Sequence, residues 1–162
     1  MKTVKQIQVQ IAWYLTWFVD GEGSFNISMR KKADYKTGWQ PVLSFNVSQR
    51  EKTILAMMKR YFGVGIIKQR KDGLHSYDVT NPRALHEMIV PFFKKYNFLS
   101  QTKRRNFSLF QKAVILMVEK RHLDSDGLTE LLDIREKLNI GAGRTRKYSK
   151  DIVLLESSET TR

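Results

Sequence analysis

Two carboxylates, Asp20 and Glu22, alternate with Gly21 and Gly23 at the end of a run, Thr3 to Val19, that contains neither glycine nor proline. From Ile11 to Val19 that run reads Ile-Ala-Trp-Tyr-Leu-Thr-Trp-Phe-Val. It is apolar almost all round, so the pattern predicts a helix buried on two or more sides, one of them against a partner subunit. Carboxylates at a helix C-terminus face the negative end of the dipole, where Lys or Arg would be the stabilising choice. The chain has 29 Lys and Arg against 16 Asp and Glu, so basic residues are not scarce. A hard divalent cation reverses the sign of the interaction. Glycine lets the backbone turn sharply and bring carbonyl oxygens near such an ion. The other reading of the same residues is an ordinary Asp-Gly-Glu-Gly surface turn.

The net charge of +13 carries self-repulsion that a polyanionic partner relieves, and nucleic acid is the leading candidate. A basic ribosomal-type protein and simple solubility are the alternatives. A basic membrane binder fits poorly, because Lys and Arg recur along the whole chain. At 162 residues, with 41% apolar and 28% charged residues, the chain reads as one globular domain, 1–162, with its core over about 8–140 and a basic loop and helix over 141–162. No apolar run approaches the ~20 residues of a membrane span, and the N-terminus lacks the layout of a secretory signal. The absence of cysteine excludes disulfides and thiolate metal sites, so an intracellular protein is expected.

After the first helix the period changes from helical to two. Phe25, Ile27 and Met29 alternate with Asn26, Ser28 and Arg30, and Leu43, Phe45 and Val47 with Ser44, Asn46 and Ser48. Both patterns predict strands with one polar face, separated by a loop around Thr37-Gly38. Ser48-Gln-Arg-Glu51 reads as a capping box ahead of a helix to about Phe62. Residues 63–70 and 74–80 read as a hairpin split by Lys71-Asp72-Gly73. Asn81-Pro82 opens a helix towards Phe93. Further helices are expected from about Ser100 and over Leu128 to Leu138. Gly141-Ala-Gly143 opens a basic segment with Arg144, Arg146 and Lys147, before a last apolar turn, Ile152 to Leu155. The expectation is an α+β fold, an αββαββα core with one four-stranded antiparallel sheet and extra C-terminal helices.

Leu15-Thr-Trp-Phe-Val-Asp-Gly-Glu-Gly23, followed by Ser24-Phe25 and a polar-faced strand, resembles the signature of the LAGLIDADG homing endonucleases. Gly63-Val-Gly65, the helix start Gln101-Thr-Lys-Arg-Arg-Asn-Phe107 and the element order carry the resemblance on, over about residues 8–148. A single copy of the motif is similar to the homodimeric group. The resemblance implies an endodeoxyribonuclease, intron-encoded, in an organelle or a prokaryotic cytoplasm, with double-stranded DNA as partner and neither membrane nor small-molecule cofactor. It implies Glu22 as metal-binding carboxylate, with the Gly21 carbonyl on the same ion. Gln49 resembles a residue that orders active-site water. Lys103 matches the basic residue near the scissile phosphate, with Gln101 and Arg104 as alternatives. Asp20 matches a structural acidic position, and the paired helices would meet through Tyr14, Trp17, Phe18 and Asp20. Thr16 and Trp17 stand where the family usually has small residues, so either the dimer seam is displaced or Trp17 turns into the core.

Phosphodiester hydrolysis needs a cation to stabilise phosphate charge and activate water. Oxygen ligands suit Mg²⁺, with Mn²⁺ or Ca²⁺ also able to occupy such a site. Two chains would bring two such sites together, one for each DNA strand. His75, His86 and His122 show no ligand spacing; His75 is expected near DNA, and the other two on helix surfaces. A two-stranded ribbon fits the major groove. By alternation its base-facing set is Asn26, Ser28, Arg30, Lys32, Gln40, Ser44, Asn46, Lys68, Arg70, Ser76 and Asp78, the bland reading being a solvated sheet face. Arg144, Arg146 and Lys147 are expected on phosphates. A cleavage-inactive relative, an RNA maturase or DNA-binding regulator, is the alternative function. A basic ribosome-associated RNA binder would need exposed stacking aromatics.

Overall fold

The structure is a computed structural model and describes residues 9–141 and 145–160. It has two compact units, one of residues up to Ser24 with Ser44–Arg105, the other of Phe25–Leu43 with Asn106 onward. The elements run α1 (Val9–Glu22), β1 (Gly23–Lys31), β2 (Trp39–Gln49), α2 (Thr53–Phe62), β3 (Ile66–Gln69) and β4 (His75–Val79). Then follow α3 (82–95), α4 (Gln101–Val118), α5 (Ser125–Lys137) and α6 (Lys150–Thr160). The strands form one antiparallel sheet in the order β1-β2-β4-β3, as the strand patterning predicts.

In the first unit, α1 buries one stripe, Ala12, Leu15, Thr16 and Val19. The all-round burial expected from its composition is therefore not met within the chain, and Tyr14 and Trp17 stay more than half exposed. Helix α1 continues three residues past Val19, so Asp20, Gly21 and Glu22 form its last turn and β1 begins at Gly23 without a linker. The sheet here pairs Phe45 with Val79, Val47 with Tyr77, and Ile67 with Tyr77. Those inward side chains meet α2 and α3 in an aromatic core in which Phe45 takes Phe62 and Phe93 edge-on and Tyr77 stacks on Phe62.

Two local expectations fail here for identifiable reasons. Ser48 is not a helix cap: ladder pairing opposite Ser76 holds it in β2, and α2 starts after Lys52 with no side-chain cap. Helix α3 contains a π turn, Leu85–Ile89, in which the Val90 N–H reaches the Leu85 carbonyl. Pro91 has no N–H to give Glu87, and its ring would press on that carbonyl in a regular helix, so the widened turn relieves the clash.

In the second unit Phe25 packs against Phe107 and Phe110. A further cluster joins Met29 and Trp39 to Leu128, Leu132 and Val153. Val153 belongs to the helix expected after the basic loop, which runs for eleven residues and so extends beyond the apolar turn Ile152 to Leu155. His122, expected on a helix surface, is instead buried in a short 3₁₀ turn, Arg121–Leu123, where burial lowers its pKa.

The start of α4 is tied to the end of α1, both in the first unit. Asp20 Oδ2 accepts from the backbone N–H groups of Leu99 and Ser100 at 3.0 Å, and its Oδ1 from Ser100 Oγ at 2.5 Å. Ser100 Oγ in turn accepts from Lys103 N at 3.2 Å, capping α4. Burial alone would raise the Asp20 pKa. The bonds from Ser100 and Leu99 and the charge of Lys103 outweigh it, so the net value lies below that of a free carboxylate.

Two outcomes are expected. A Cβ on Gly23 would stand 2.5 Å from Val19 Cγ1 and 2.9 Å from the Val19 carbonyl oxygen, whereas on Gly21 it meets nothing within 4 Å. Urea unfolding should therefore find Gly23→Ala destabilised by about 1–3 kcal/mol and Gly21→Ala unchanged or up to about 1 kcal/mol more stable. Because the folded Asp20 pKa is depressed, its contribution is complete above the unfolded value and is lost as pH falls through the folded one. The stability gap between wild type and Asp20→Asn should shrink as pH drops below about 4; a gap independent of pH would contradict the assignment.

Candidate functional site

Glu22 is exposed on the last turn of α1 and lines an open groove of about 830 Å³ together with Gln49, Tyr14, Phe18, Ile54 and Met57. Gln49 reaches it as the last residue of β2, opposite His75. Lys103 comes to the same helix end from the first turn of α4 and donates from Nζ to the Gly23 carbonyl oxygen. Burial lowers its pKa, and the charges of Asp20 and Glu22 oppose that shift without cancelling it. Of the alternatives, Gln101 is exposed, and Arg104 donates from Nε to the Phe98 carbonyl at 2.5 Å. Lys103 is thus the member of the trio directed at the carboxylates. Its placement follows from Asp20, which fixes the N-terminus of α4 three residues earlier.

The groove holds an exposed carboxylate and a neutral amide, and the ammonium of Lys103 sits at the same helix end, on the Gly23 carbonyl and within the field of Glu22. Such a set can attract a cation on one side and an oxyanion on the other. Among the described residues no group of three or more His, Asp or Glu gathers to hold a metal ion. A cation here would rest on one carboxylate and neutral oxygens, a hard donor set that suits Mg²⁺ or Ca²⁺ and leaves most of the coordination sphere to water or a ligand.

The sheet-face residues fall in both units. In the first, Asn46 lies opposite Asp78 and Ser48 opposite Ser76, with Ile66 and Lys68 completing the same rows from β3. Ser44 sits two residues before Asn46 on that face, and Ser76 is buried. Arg70 falls just past β3, in the turn, where it pairs with Asp72 at 3.0 Å. In the second unit Asn26 is half-buried, while Ser28, Arg30 and Lys32 are exposed. Lys32 lies beyond the end of β1, over the Tyr35 ring, and Gln40 donates to the Tyr35 hydroxyl at 3.3 Å. Strict alternation also places Ser48, Val42 and Ile66 on these rows, and the two apolar members were not legible as part of a polar face.

Asn139, in the second unit, is a position that sequence reasoning missed. It has a left-handed backbone (φ 56°) just past α5, exchanges hydrogen bonds with Asn106, and donates to the Phe25 carbonyl at 2.8 Å. An Asn following the last residue of a helix is the available signal for such an end. Arg146 is engaged at the same helix end, donating to the Arg135 and Leu138 carbonyls and pairing with Glu136 at 2.9 Å. Lys147 is exposed over the Tyr148 ring, and Arg144 lies outside the described residues.

The free face of α1 carries Tyr14, 51% exposed, and Trp17, 57% exposed, with Phe18 half-buried beside them. Trp17 therefore does not turn into the core. Thr16 does, bonding the Ala12 carbonyl at 3.0 Å and the Tyr96 carbonyl at 3.4 Å. Asp20 faces the start of α4.

Comparison with known proteins bears on the family and the fold. Residues 15–114 match the model of the LAGLIDADG endonuclease family. The "Probable intron-encoded endonuclease 2" of Neurospora crassa is 31% identical over 140 residues, 84% of this chain but 31% of that protein. The chain thus spans about a third of that relative's length. The structure of the I-SmaMI LAGLIDADG homing endonuclease bound to cleaved DNA superposes with a TM-score of 0.78 at 33% identity, covering 87% of this chain and 46% of I-SmaMI. The archaeal intron-encoded homing endonuclease I-Vdi141I, complexed with DNA, reaches a TM-score of 0.86 at 25% identity, covering 93% of this chain and 96% of that one. A chain with this fold, with Asp20 and Glu22 closing α1 and with a family match from Leu15 to Val114, belongs to the LAGLIDADG endonuclease family.

Proposed function

We propose that the chain is a site-specific DNA endonuclease that hydrolyses a phosphodiester on each strand of a target of roughly 20 base pairs with approximate two-fold symmetry. The observation that carries this reading is the convergence of Glu22, Gln49 and Lys103 on one end of α1. Glu22 and the Gly21 carbonyl would hold a divalent cation, with Mg²⁺ the metal expected and Mn²⁺ or Ca²⁺ able to substitute. When bound, the cation stabilises charge on the phosphate and lowers the pKa of bound water. Gln49, across the groove, would orient a water molecule. Lys103 would offer its ammonium to the phosphate oxygens; burial lowers its pKa, and the facing carboxylates Asp20 and Glu22 favour the charged form.

One carboxylate per chain makes half a site. The exposed Tyr14, Trp17 and Phe18 support pairing of α1 with a second copy of the motif, in a homodimer. Coverage of 96% of I-Vdi141I fits that reading, and coverage of 46% of I-SmaMI fits one half of a longer chain. The polar rows of the sheet would read bases in the major groove. Exposed Arg30, Lys32, Lys68 and Lys147 would supply charge towards DNA, together with Arg144; Arg146 could join them only by giving up its hold on α5. The intron-encoded names among the relatives support an intron origin and an organellar or prokaryotic setting. No helix among the described residues is long and apolar enough to cross a membrane. An exposed carboxylate kept at an unfavourable helix end favours a cutting enzyme over a maturase or DNA-binding regulator.

Cleavage of a selected target in Mg²⁺ tests the site. Glu22→Gln should lower the rate by at least about a hundredfold while DNA affinity stays within a few-fold; equal cleavage would remove Glu22 from the mechanism. For recognition, Arg70→Ala should relax preference at particular base pairs. Lys147→Ala should weaken binding to all sequences alike and reduce the salt slope by about one.

A further inference from the structure

Asp78 is an acid on the row proposed to face DNA, in a chain of net charge +13. Its two oxygens have different partners. Asn46 Nδ2 donates to Oδ1, and Ser76 Oγ donates to Oδ2 at 2.7 Å. Asn46 Oδ1 in turn accepts from Ser48 Oγ at 3.3 Å. All four residues lie on β2 and β4 within the first unit, where Asn46 is opposite Asp78 and Ser48 is opposite Ser76.

The charge of Asp78 sets the direction of every bond in this chain. An ionised carboxylate only accepts, so Asn46 must turn its NH₂ towards it and Ser76 must point its hydroxyl proton at it. The amide oxygen of Asn46 then faces Ser48, whose hydroxyl proton is used there. Flipping Asn46 would set two acceptors against each other. Apart from the second N–H of Asn46, what remains for a ligand is lone pairs, those of Asp78 and of the Ser48 hydroxyl. The adenine contact usual for Asn, oxygen to N6 and NH₂ to N7, has to share the Asn46 amide with Asp78 and Ser48, which fix its orientation. On the β3 side the residue opposite Asp78 is the apolar Ile66, 49% exposed.

We infer that Asp78, with Asn46 and Ser76 donating to it, presents an acceptor that reads an exocyclic amino group, the N4 of cytosine or the N6 of adenine, and rejects the carbonyl of guanine or thymine at the same place. Carbonyl oxygens set against Asp78 would leave two acceptors facing each other without a proton. This inference rests on the proposed reading of DNA by the sheet. It adds which hydrogen-bond polarity one position of the target must have.

The test is binding selection from a random duplex library in EDTA, using the whole chain as wild type, Asp78→Asn and Ser76→Ala. For wild type, the position altered by Asp78→Asn should favour C or A on the contacted strand by about tenfold or more over G or T. Asp78→Asn should bring that ratio below about threefold and leave the other positions unchanged, because an amide can turn a donor outward. Ser76→Ala should keep the preference, since the carboxylate remains. Asp78→Ser replaces Asp78→Asn should the latter not unfold cooperatively. The inference is overturned by an Asp78→Asn profile identical to wild type, by a wild-type preference for G or T at the altered position, or by loss of the preference in Ser76→Ala. Failure of wild type to enrich any sequence would instead overturn the DNA-reading function itself.

Discussion

The proposed site at the end of α1 depends on one carboxylate that does not belong to the chemistry proposed there. Asp20 holds two backbone N–H groups and a hydroxyl at the beginning of α4. These groups would otherwise be unsatisfied at a helix N-terminus, where negative charge is favoured. The same carboxylate is unfavourable at the C-terminus of its own helix, so its cost in α1 is offset by its gain at α4. Two helices separated by most of the first unit's sequence are thereby fixed end to end. Lys103 then falls beside Gly23 and Glu22 by helical geometry alone. Glu22, two residues on, has no such donor among the described residues, and it faces an open groove.

The basic charge is unevenly committed. Arg146 closes the end of α5, Lys31 lies over Trp39 and Tyr148, and Lys150 and Arg121 pair with Asp133 and Glu130. Exposed pairs of this kind contribute little to stability, but they occupy side chains that a bare count would assign to nucleic acid. Among the described residues Arg30 and Lys68 on the sheet have no ion-pair partner, and Lys147 beyond α5 rests over the Tyr148 ring with no carboxylate beside it. Asp78, by contrast, is an acid retained on a face where a phosphate would repel it. Its neighbours Asn46 and Ser76 donate inward to it, which supports the proposal that this face reads bases rather than backbone alone.

Much of this was legible in the sequence because it depends on local chemistry. Period-two alternation gave β1 and β2 and identified their polar faces, since strand side chains must alternate. Asn81-Pro82 marked the start of α3 for a capping reason confined to neighbouring residues. The Leu15–Gly23 signature gave the family. What failed did so where a distant partner decided the outcome. Ser48 reads as a cap until the ladder to Ser76 claims it. His122 reads as a surface residue until its turn is buried. The aromatic run of α1 reads as wholly buried, although one chain supplies a partner for only one stripe.

The sequence by itself determined the α+β element order, the basic character and the identity of the two carboxylates, because periodicity, charge and short motifs are properties of neighbours along the chain. Only the tertiary structure decided which carboxylate is consumed and which is left available. That distinction required the start of α4, some eighty residues away, to arrive at Asp20. It also decided that Lys103, rather than Gln101 or Arg104, points at the site. Direction along a helix depends on where that helix is anchored, and no spacing within Gln101–Phe107 encodes the anchor.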